Sequence, residues 1–398
     1  MYVTIYPNPL HGEVIIPPSK SLTHRALICA SLVKGKSIIY NPLYSDDTNA
    51  TISCLKNLGV TITKLSDRII VEGEGRYKLL GKLDGKESAS TIRFLIPLVS
   101  HFVSDFSFHG SKRLTERLNT KDLLNLKGLK FDFFSDHVRV SGKLEDEINL
   151  SDSITSQFIS GIIFLKPIKK ININVPKNPY IDLTQSVVNY FLDHGKYVPR
   201  EIIIESDFSS ASFFIAMMLF NNIKIKGLNF DSLQGDKKII TFLEKMDAKF
   251  SNSNNRLLCL SGETKGIDLD LTLYPDLVPI MAAIASVSKG QTTIVGIEKL
   301  KYKESDRIKA IYLGLKQLGA DIKYNKHNLI INGQDYLEGC ATVDGFSDHR
   351  IIMSLVAISS KVKNPYTIKG FSEVNKSFPN FWDLYKSLGG KYECKVSN

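Results

Sequence analysis

The segment Pro17-Pro18-Ser19-Lys20-Ser21-Leu22-Thr23-His24-Arg25 runs from a Pro-Pro stop into a helix start with hydroxyl, ammonium and guanidinium groups close together. Arg25 follows Ser21 by four residues, which puts both on one helical face. Backbone N–H groups at a helix N-terminus, joined by such cations, are suited to an anion, above all a phosphate. Lys112, Arg113 and Arg117 form a second cationic group, with Arg113 and Arg117 again four apart. A solvated helix face accounts for that spacing as well as a site does. Thr155-Ser156-Gln157 offers neutral donors at the start of an apolar run.

Further along, Tyr274-Pro275-Asp276 places a carboxylate before a fully apolar helix. It reads either as a helix cap or as a base for a hydroxyl. In Lys301-Tyr302-Lys303-Glu304-Ser305-Asp306-Arg307, the residues Lys303, Glu304 and Arg307 fall within one turn, as in a surface ion-pair helix or a charged site. Ser347-Asp348-His349-Arg350 puts an arginine into the first turn of an apolar helix, where it requires an anion from the protein or from a ligand. Lys376-Ser377-Phe378-Pro379 presents a lysine beside a loop-to-helix boundary.

Other chemistries lack their signatures. No two of the eight histidines have i, i+4 spacing and no Cys/His set exists, so no metal site is expected. There is no Walker loop, no GxGxxG fingerprint and no GxSxG elbow.

The elements that must position these residues repeat along the chain. An amphipathic helix ends in CLKNLGV (54–60), NLKGLK (125–130), FLDHGKY (191–197), FLEKMDA (242–248), GLKQLGA (314–320) and LYKSLGG (384–390). Gly after the last turn is the expected left-handed cap, and the fourth copy lacks it. Alternating segments such as VTITKLSDRIIVEG and ADIKYNKHNLIING read as half-buried β-hairpins. A second helix, apolar on nearly every face and therefore buried, begins near Ser21, Ser90, Ser156, Ser209, Asp276 and Asp348. The last copy ends after one strand, KYECKVS, whose missing partner is expected to be the N-terminal VTIY segment. The fold expected is α/β: two pseudo-symmetric domains, each of three βαβαββ units around buried helices, with a hinged cleft between them. One domain would span 19–204, the other 1–18 plus 205–398, joined by two crossover segments.

Composition is that of an ordinary globular protein. The 398 residues are 43% hydrophobic and 23% charged, and the apolar runs are far shorter than the roughly 20 residues a bilayer needs. No signal peptide is expected, since the N-terminal residues lack a basic segment followed by an apolar run. Five scattered cysteines without a CxxC pair read as reduced thiols. The net charge of +10 is compatible with an anionic small molecule or nucleic acid, but the lysines are dispersed and no nucleic-acid motif is present.

Taken in order, PPSKSLTHRAL, ESASTIRFLIPL, SKRLTERL, TSQF, NPYIDLT, SDFSSAS, YPD, KESDR, SDHR and NKSFPNF resemble the motifs of the 5-enolpyruvylshikimate-3-phosphate synthase family of enolpyruvyl transferases over nearly the whole chain. The resemblance implies the two-domain inside-out α/β barrel and transfer of the enolpyruvyl group of phosphoenolpyruvate to shikimate 3-phosphate. It implies that Lys20, Arg117, Gln157 and Lys376 hold the phosphate of phosphoenolpyruvate, and that Arg307 and Arg350 grip its carboxylate. Lys20, Ser21, Arg25, Thr155, Ser156, Gln157, Tyr180, Asp276 and Lys303 would bind shikimate 3-phosphate. Asp276 would activate the attacking hydroxyl, and Glu304 with Lys20 would handle the proton at the methylene carbon. No cofactor, metal, nucleic acid or membrane is implied, and a cytoplasmic monomer is expected.

The chain departs from the family pattern at Ala89, Leu118, Lys177 and Leu300. The Ala89 methyl is expected to project toward the phosphoenolpyruvate site and to weaken inhibition by glyphosate, which occupies that site in the family. Two rivals stand beside this reading. One is a UDP-N-acetylglucosamine enolpyruvyl transferase, which typically has a Lys-Asn pair near its N-terminus and a mobile-loop cysteine, where this chain has Ser19-Lys20-Ser21 with Arg25 and no such cysteine. The other is a non-catalytic polyanion binder, which gives no reason for Asp276 and Glu304 among the cations.

Overall fold

The structure, a computed structural model, describes residues 1–118, 123, 126–146, 155–171, 173–253 and 256–396. It is mixed α/β and divides into two compact units, Pro18–Glu205 and Met1–Pro17 with Ser206–Asn398. Each unit has its own apolar core. Among the described residues no helix is long and apolar enough to cross a membrane.

Five four-stranded sheets share one topology. A lead strand pairs in parallel with a second strand, and that strand pairs antiparallel with an antiparallel pair, which is a β-hairpin in four of the five among the described residues. In Pro18–Glu205 one sheet is ordered Glu201–Ile203, Lys34–Tyr40, Arg68–Glu74, Thr61–Lys64. The strand order Leu83–Asp84, Asp105–His109, His137–Gly142, Leu129–Phe133 repeats the pattern. In the other unit the last sheet is completed from the far end of the chain. Tyr2–Tyr6 lies antiparallel to both Tyr366–Lys369 and Lys391–Lys395, with Val3 opposite Ile368 and Cys394. The N-terminal alternation therefore supplies the partner that KYECKVS lacks.

The helices come in two kinds, as the hydropathy requires. Lys20–Ser31, Ala89–Phe102 and Ser156–Leu165 in one unit, and Phe208–Phe220, Val278–Ala285 and His349–Ala357 in the other, are buried over most of their surface. Each is followed by a helix with one exposed face, such as Asp46–Asn57 or Arg307–Gln317. The caps lie one or two residues before the starts read from the sequence, except that Asp348 is itself the cap and Asp276 caps nothing. They are Ser19, Ser88, Thr155, Asp207 and Asp348, with an uncapped start at Leu277. Ser21, Ser90 and Ser209 therefore sit inside the first turn, where their hydroxyls are available to other groups.

Two helix ends also differ. FLDHGKY is not a Gly-capped helix end: the helix Pro179–Phe191 stops and His194-Gly195, at φ +45° and +77°, turn a hairpin between Leu192–Asp193 and Lys196–Tyr197. Two consecutive positive φ angles suit the twist of such a hairpin. In the copy without glycine, Asp247 itself takes φ +76°, a conformation that Asp tolerates better than most residues. The helix expected to end at NLKGLK spans Lys112–Leu118; residues 119–122, 124 and 125 lie outside the described residues, as does the turn at 254 and 255.

One glycine bears directly on the site. A Cβ on Gly161 would lie 2.8 Å from the Phe94 carbonyl oxygen and 2.9 Å from that of Arg93. The bare Cα lets Ser156–Leu165 pack closely on Ala89–Phe102. That approach brings the first turn of each helix, with Gln157 and Ser90, within bonding distance.

Candidate active site

Asp276 is the centre of the charged group in the unit formed by Met1–Pro17 and Ser206–Asn398. It does not cap the helix that follows, since Val278–Ala285 starts from Leu277 without a side-chain cap. Instead its Oδ1 accepts from Lys303 Nζ at 3.2 Å and Arg307 Nη1 at 2.8 Å. Arg350 Nη2 donates to Oδ2 at 3.2 Å, and Arg350 Nη1 to the Asp276 backbone carbonyl at 3.1 Å. Burial alone would raise the Asp276 carboxyl; Arg350, Lys303 and Arg307 together overcome it and hold the group well below the usual carboxylate range. Burial likewise lowers the Lys303 ammonium, partly opposed by Asp276.

Arg307 is buried and divides its donors among three carboxylates. Besides Asp276, it reaches Glu304 Oε2 at 2.5 Å and Asp348 Oδ2 at 2.8 Å. Asp348 is completely buried; it also accepts from Ser305 Oγ at 3.0 Å and from the Arg350 backbone N–H at 3.0 Å. Burial disfavours the Arg307 cation, but Asp348, Glu304 and Asp276 raise its pKa above the ordinary value. Arg350 Nη2 donates to Ser209 Oγ at 2.6 Å, and Ser209 donates to Asp236 at 2.5 Å. Five sequence candidates, Asp276, Lys303, Glu304, Arg307 and Arg350, are thus brought into one network. Lys376, at the end of the 3-10 turn Phe371–Lys376, is half-buried.

The Pro18–Glu205 unit assembles the other candidates. Lys20, the first residue of its helix, donates to Asp47 Oδ2 at 2.8 Å. Arg25 is buried, its guanidinium 5.1 Å from the centre of the Phe94 ring. It donates to Thr184 Oγ1 at 2.8 Å, to the Ser21 carbonyl at 2.9 Å and to the Tyr180 carbonyl at 3.0 Å. Burial lowers its pKa to about 10, which leaves it cationic at neutral pH. Arg25 therefore ties the first helix to Pro179–Phe191, and Ser21 and Tyr180 are drawn together around it.

Thr155 caps the helix in which Ser156 and Gln157 form the first turn. Gln157 Nε2 donates to Ser90 Oγ at 2.8 Å, and Gln157 Oε1 accepts from Arg93 Nη1 at 2.8 Å. The other arm of Arg93, Nη2, donates to the Arg117 carbonyl at 2.7 Å. One buried guanidinium thereby fixes two phosphate candidates, Gln157 and Arg117, relative to each other. Ala89, the first residue of its helix and 5% exposed, adjoins Ser90 in this group. Arg117 is buried while Arg113 is 42% exposed beside Glu116, so the i, i+4 pair does not act as one cationic face.

The partners Asp47, Ser90, Arg93, Thr184, Ser209, Asp236 and Asp348 were not among the candidates. Arg93 had a readable signal, an arginine in an apolar run, the same feature that marks Arg350.

The family model for EPSP synthase (3-phosphoshikimate 1-carboxyvinyltransferase) matches residues 5–384. A 3-phosphoshikimate 1-carboxyvinyltransferase of Clostridium kluyveri is 38% identical, over 98% of this chain and 98% of that protein. One of Clostridium perfringens is 39% identical over the same shares. Among solved structures, an EPSP synthase from Acinetobacter baumannii is similar in fold with a TM-score of 0.77 at 23% identity, over 98% of this chain and 99% of that one. The enolpyruvyl transferase NikO from Streptomyces tendae has a TM-score of 0.79 at 13% identity, over 100% of this chain and 99% of that one. With a family match across nearly all of its length and relatives this similar, the chain belongs to the EPSP synthase (3-phosphoshikimate 1-carboxyvinyltransferase) family.

Proposed function

We propose that this enzyme transfers the enolpyruvyl group of phosphoenolpyruvate to the 5-hydroxyl of shikimate 3-phosphate, and that Asp276 is the group whose protonation is switched by substrate. The family supports the reaction. The observation that supports the role of Asp276 is its position at the meeting point of Lys303, Arg307 and Arg350.

In the arrangement described, the Asp276 carboxylate occupies cations that would otherwise face a substrate carboxylate. Held so far down, it is a weak base. When the carboxylate of phosphoenolpyruvate takes Arg307 and Arg350, those cations turn to the ligand. Burial, which already pushes the Asp276 carboxyl up, then becomes the main influence, and Asp276 becomes basic enough to accept the 5-hydroxyl proton. Lys303 keeps the hydroxyl in place.

The reaction balances with proton transfers alone. The 5-hydroxyl oxygen bonds to C2 of phosphoenolpyruvate as a proton reaches C3, converting the methylene to a methyl. The bond from C2 to the phosphate oxygen then breaks, phosphate leaves, and a proton is removed from the methyl to restore the enol ether. Glu304 and Lys20 serve the C3 proton. Lys20, Arg117, Gln157 and Lys376 hold the departing phosphate. Ser21, Arg25, Thr155, Ser156 and Tyr180 bind shikimate 3-phosphate. Once the substrates are bound, cations held by buried partners stabilise the added negative charge without reorganisation during the reaction. We place the reaction in the cytoplasm.

Phosphate release from phosphoenolpyruvate, followed with and without shikimate 3-phosphate, tests the reading. Release that depends on shikimate 3-phosphate is expected. Release supported by UDP-N-acetylglucosamine and not by shikimate 3-phosphate would overturn it.

A further inference from the structure

On the Pro18–Glu205 unit the strands Asp105–His109 and His137–Gly142 pair antiparallel with His109 opposite His137. Residues in that relation project from one face of the sheet with their side chains adjacent. The two imidazoles stack with centroids 5.0 Å apart and 27° between their planes. Asp136 precedes the second strand, and its backbone carbonyl accepts from Gly110 N–H at 3.0 Å, which fixes the end of the ladder.

The carboxylate of Asp136 lies against both rings. Its Oδ1 is 2.8 Å from His137 Nδ1, and its Oδ2 is 4.0 Å from His109 Nδ1. Both rings thus present the same nitrogen to the two oxygens of one carboxylate. His109 Nδ1 is buried and has no hydrogen-bond partner. A buried polar atom left unsatisfied is costly, and here it is aimed at a second imidazole nitrogen and a carboxylate. The group borders a groove of about 340 Å³, in which Asp84 and Glu87 offset Lys82 and Lys86.

We propose that His109, His137 and Asp136 form a binding site for a first-row divalent cation, of which Zn²⁺ is the representative. Two imidazoles and a carboxylate suit such an ion, and the open groove leaves room for water in the remaining position. The donor atoms lie within 4.8 Å of one another. Bonds of about 2.0–2.1 Å to each nitrogen require them to draw closer, which rotation of these partly exposed side chains achieves. The cation would satisfy His109 Nδ1 and clamp the two strands together. None of the three residues is assigned a role in the transfer reaction.

The test is calorimetric titration of the full chain, free of any affinity tag, with ZnCl₂ at neutral pH. The expected result is one saturable site that both His109→Ala and His137→Ala remove. Each ligand deletion should cost more than the roughly 10–100-fold that loss of an outer partner costs. His137→Gln is a second variant that keeps a polar side chain of similar length. Thermal midpoints in chelator equal to that of the parent chain establish that the variants fold. With Cu²⁺ as probe, electron paramagnetic resonance should show coupling to two nitrogens in the parent chain and to one in either histidine variant. Zinc binding that persists unchanged in both histidine variants, or the absence of any saturable binding, would overturn the proposal.

Discussion

Arg307 and Asp348 are joined at 2.8 Å with Asp348 completely buried and the Arg307 side chain only 2% exposed. Neither charge has water to fall back on, so each depends on the other and on the Ser305, Glu304 and Asp276 groups around them. Asp348→Ala leaves the guanidinium without its most buried counter-charge and removes the cap of His349–Ala357. The expected loss of stability is about 3–5 kcal/mol. Asp348→Asn keeps one oxygen, enough for the Arg350 N–H, but puts an NH2 in place of the oxygen that faces Ser305 and Arg307 Nε; it should lose about 1.5–3 kcal/mol. Urea unfolding of the three proteins decides it; equal midpoints would mean that Arg307 is held by its other partners alone.

Asp276→Asn removes the proposed base while keeping its size. The turnover number should fall about 10²–10⁴-fold. Phosphoenolpyruvate affinity should hold or improve, because the internal competitor for Arg307 and Arg350 has lost its charge. Single-turnover rates and equilibrium binding, measured separately, distinguish this from simple loss of binding. A variant that binds weakly and turns over normally would make Asp276 only a positioning residue.

Arg93 is assigned no substrate contact of its own but spans two phosphate candidates, Gln157 and the Arg117 carbonyl. Arg93→Lys keeps the charge and cannot make both bonds in the same planar fork. Loss of one charge-assisted hydrogen bond, about 1.5–3 kcal/mol, corresponds to a KM for phosphoenolpyruvate raised roughly 10–100-fold. The KM for shikimate 3-phosphate, which draws on Gln157 but not on Arg117, should rise less. Equal rises in both constants would point to general loosening of the helix pair.

The cationic and acidic side chains of the site were legible in the sequence because charge within an apolar run must be compensated. Arg350, Arg25 and Arg307 are all buried, and each is bonded to at least one carboxylate or carbonyl. What local sequence could not give was the identity of partners far along the chain. Asp348 reaches Arg307 across 41 positions, and Arg93 reaches Gln157 across 64. Spacing rules written for one helix are blind to such pairs. They are equally blind to His109 and His137, which are neighbours only through strand register. The repeat was legible from hydropathy because its buried helices are apolar all round. The exact caps were not, because serines two residues apart compete for the same role and tertiary hydrogen bonds decide which is free.

Ala89 opens the helix whose next residue holds Gln157. Its methyl is the only side-chain difference from glycine at a position expected to face phosphoenolpyruvate. Ala89→Gly should lower the glyphosate concentration needed for half inhibition by about tenfold or more, the range that one methyl group is worth in a closed pocket. Inhibition assays at matched saturation with phosphoenolpyruvate measure it. Potent inhibition of the parent enzyme, unchanged by the substitution, would remove Ala89 from the account.

His24 provides a pH signature for the Pro18–Glu205 unit. Its Nδ1 is 2.8 Å from Thr51 Oγ1, and its Nε2 is buried without a hydrogen-bond partner. Burial lowers its pKa to about 3, with Lys20 and Arg25 acting in the same direction and Asp47 against them. An unfolded histidine titrates near pH 6.5. Above that value both states are neutral and the contribution of His24 is fully present. As pH falls toward about 3, the unfolded chain takes up a proton that the fold refuses, so stability is progressively lost. The slope attributable to His24 approaches about 1.4 kcal/mol per pH unit between pH 6 and pH 4. His24→Gln cannot titrate, so its stability should depend less steeply on pH across that window, whatever the substitution costs at neutral pH. Denaturant unfolding at half-unit intervals reads the slope directly. Parallel curves for the two proteins would mean that the imidazole is already protonated inside the fold, with Asp47 winning over burial.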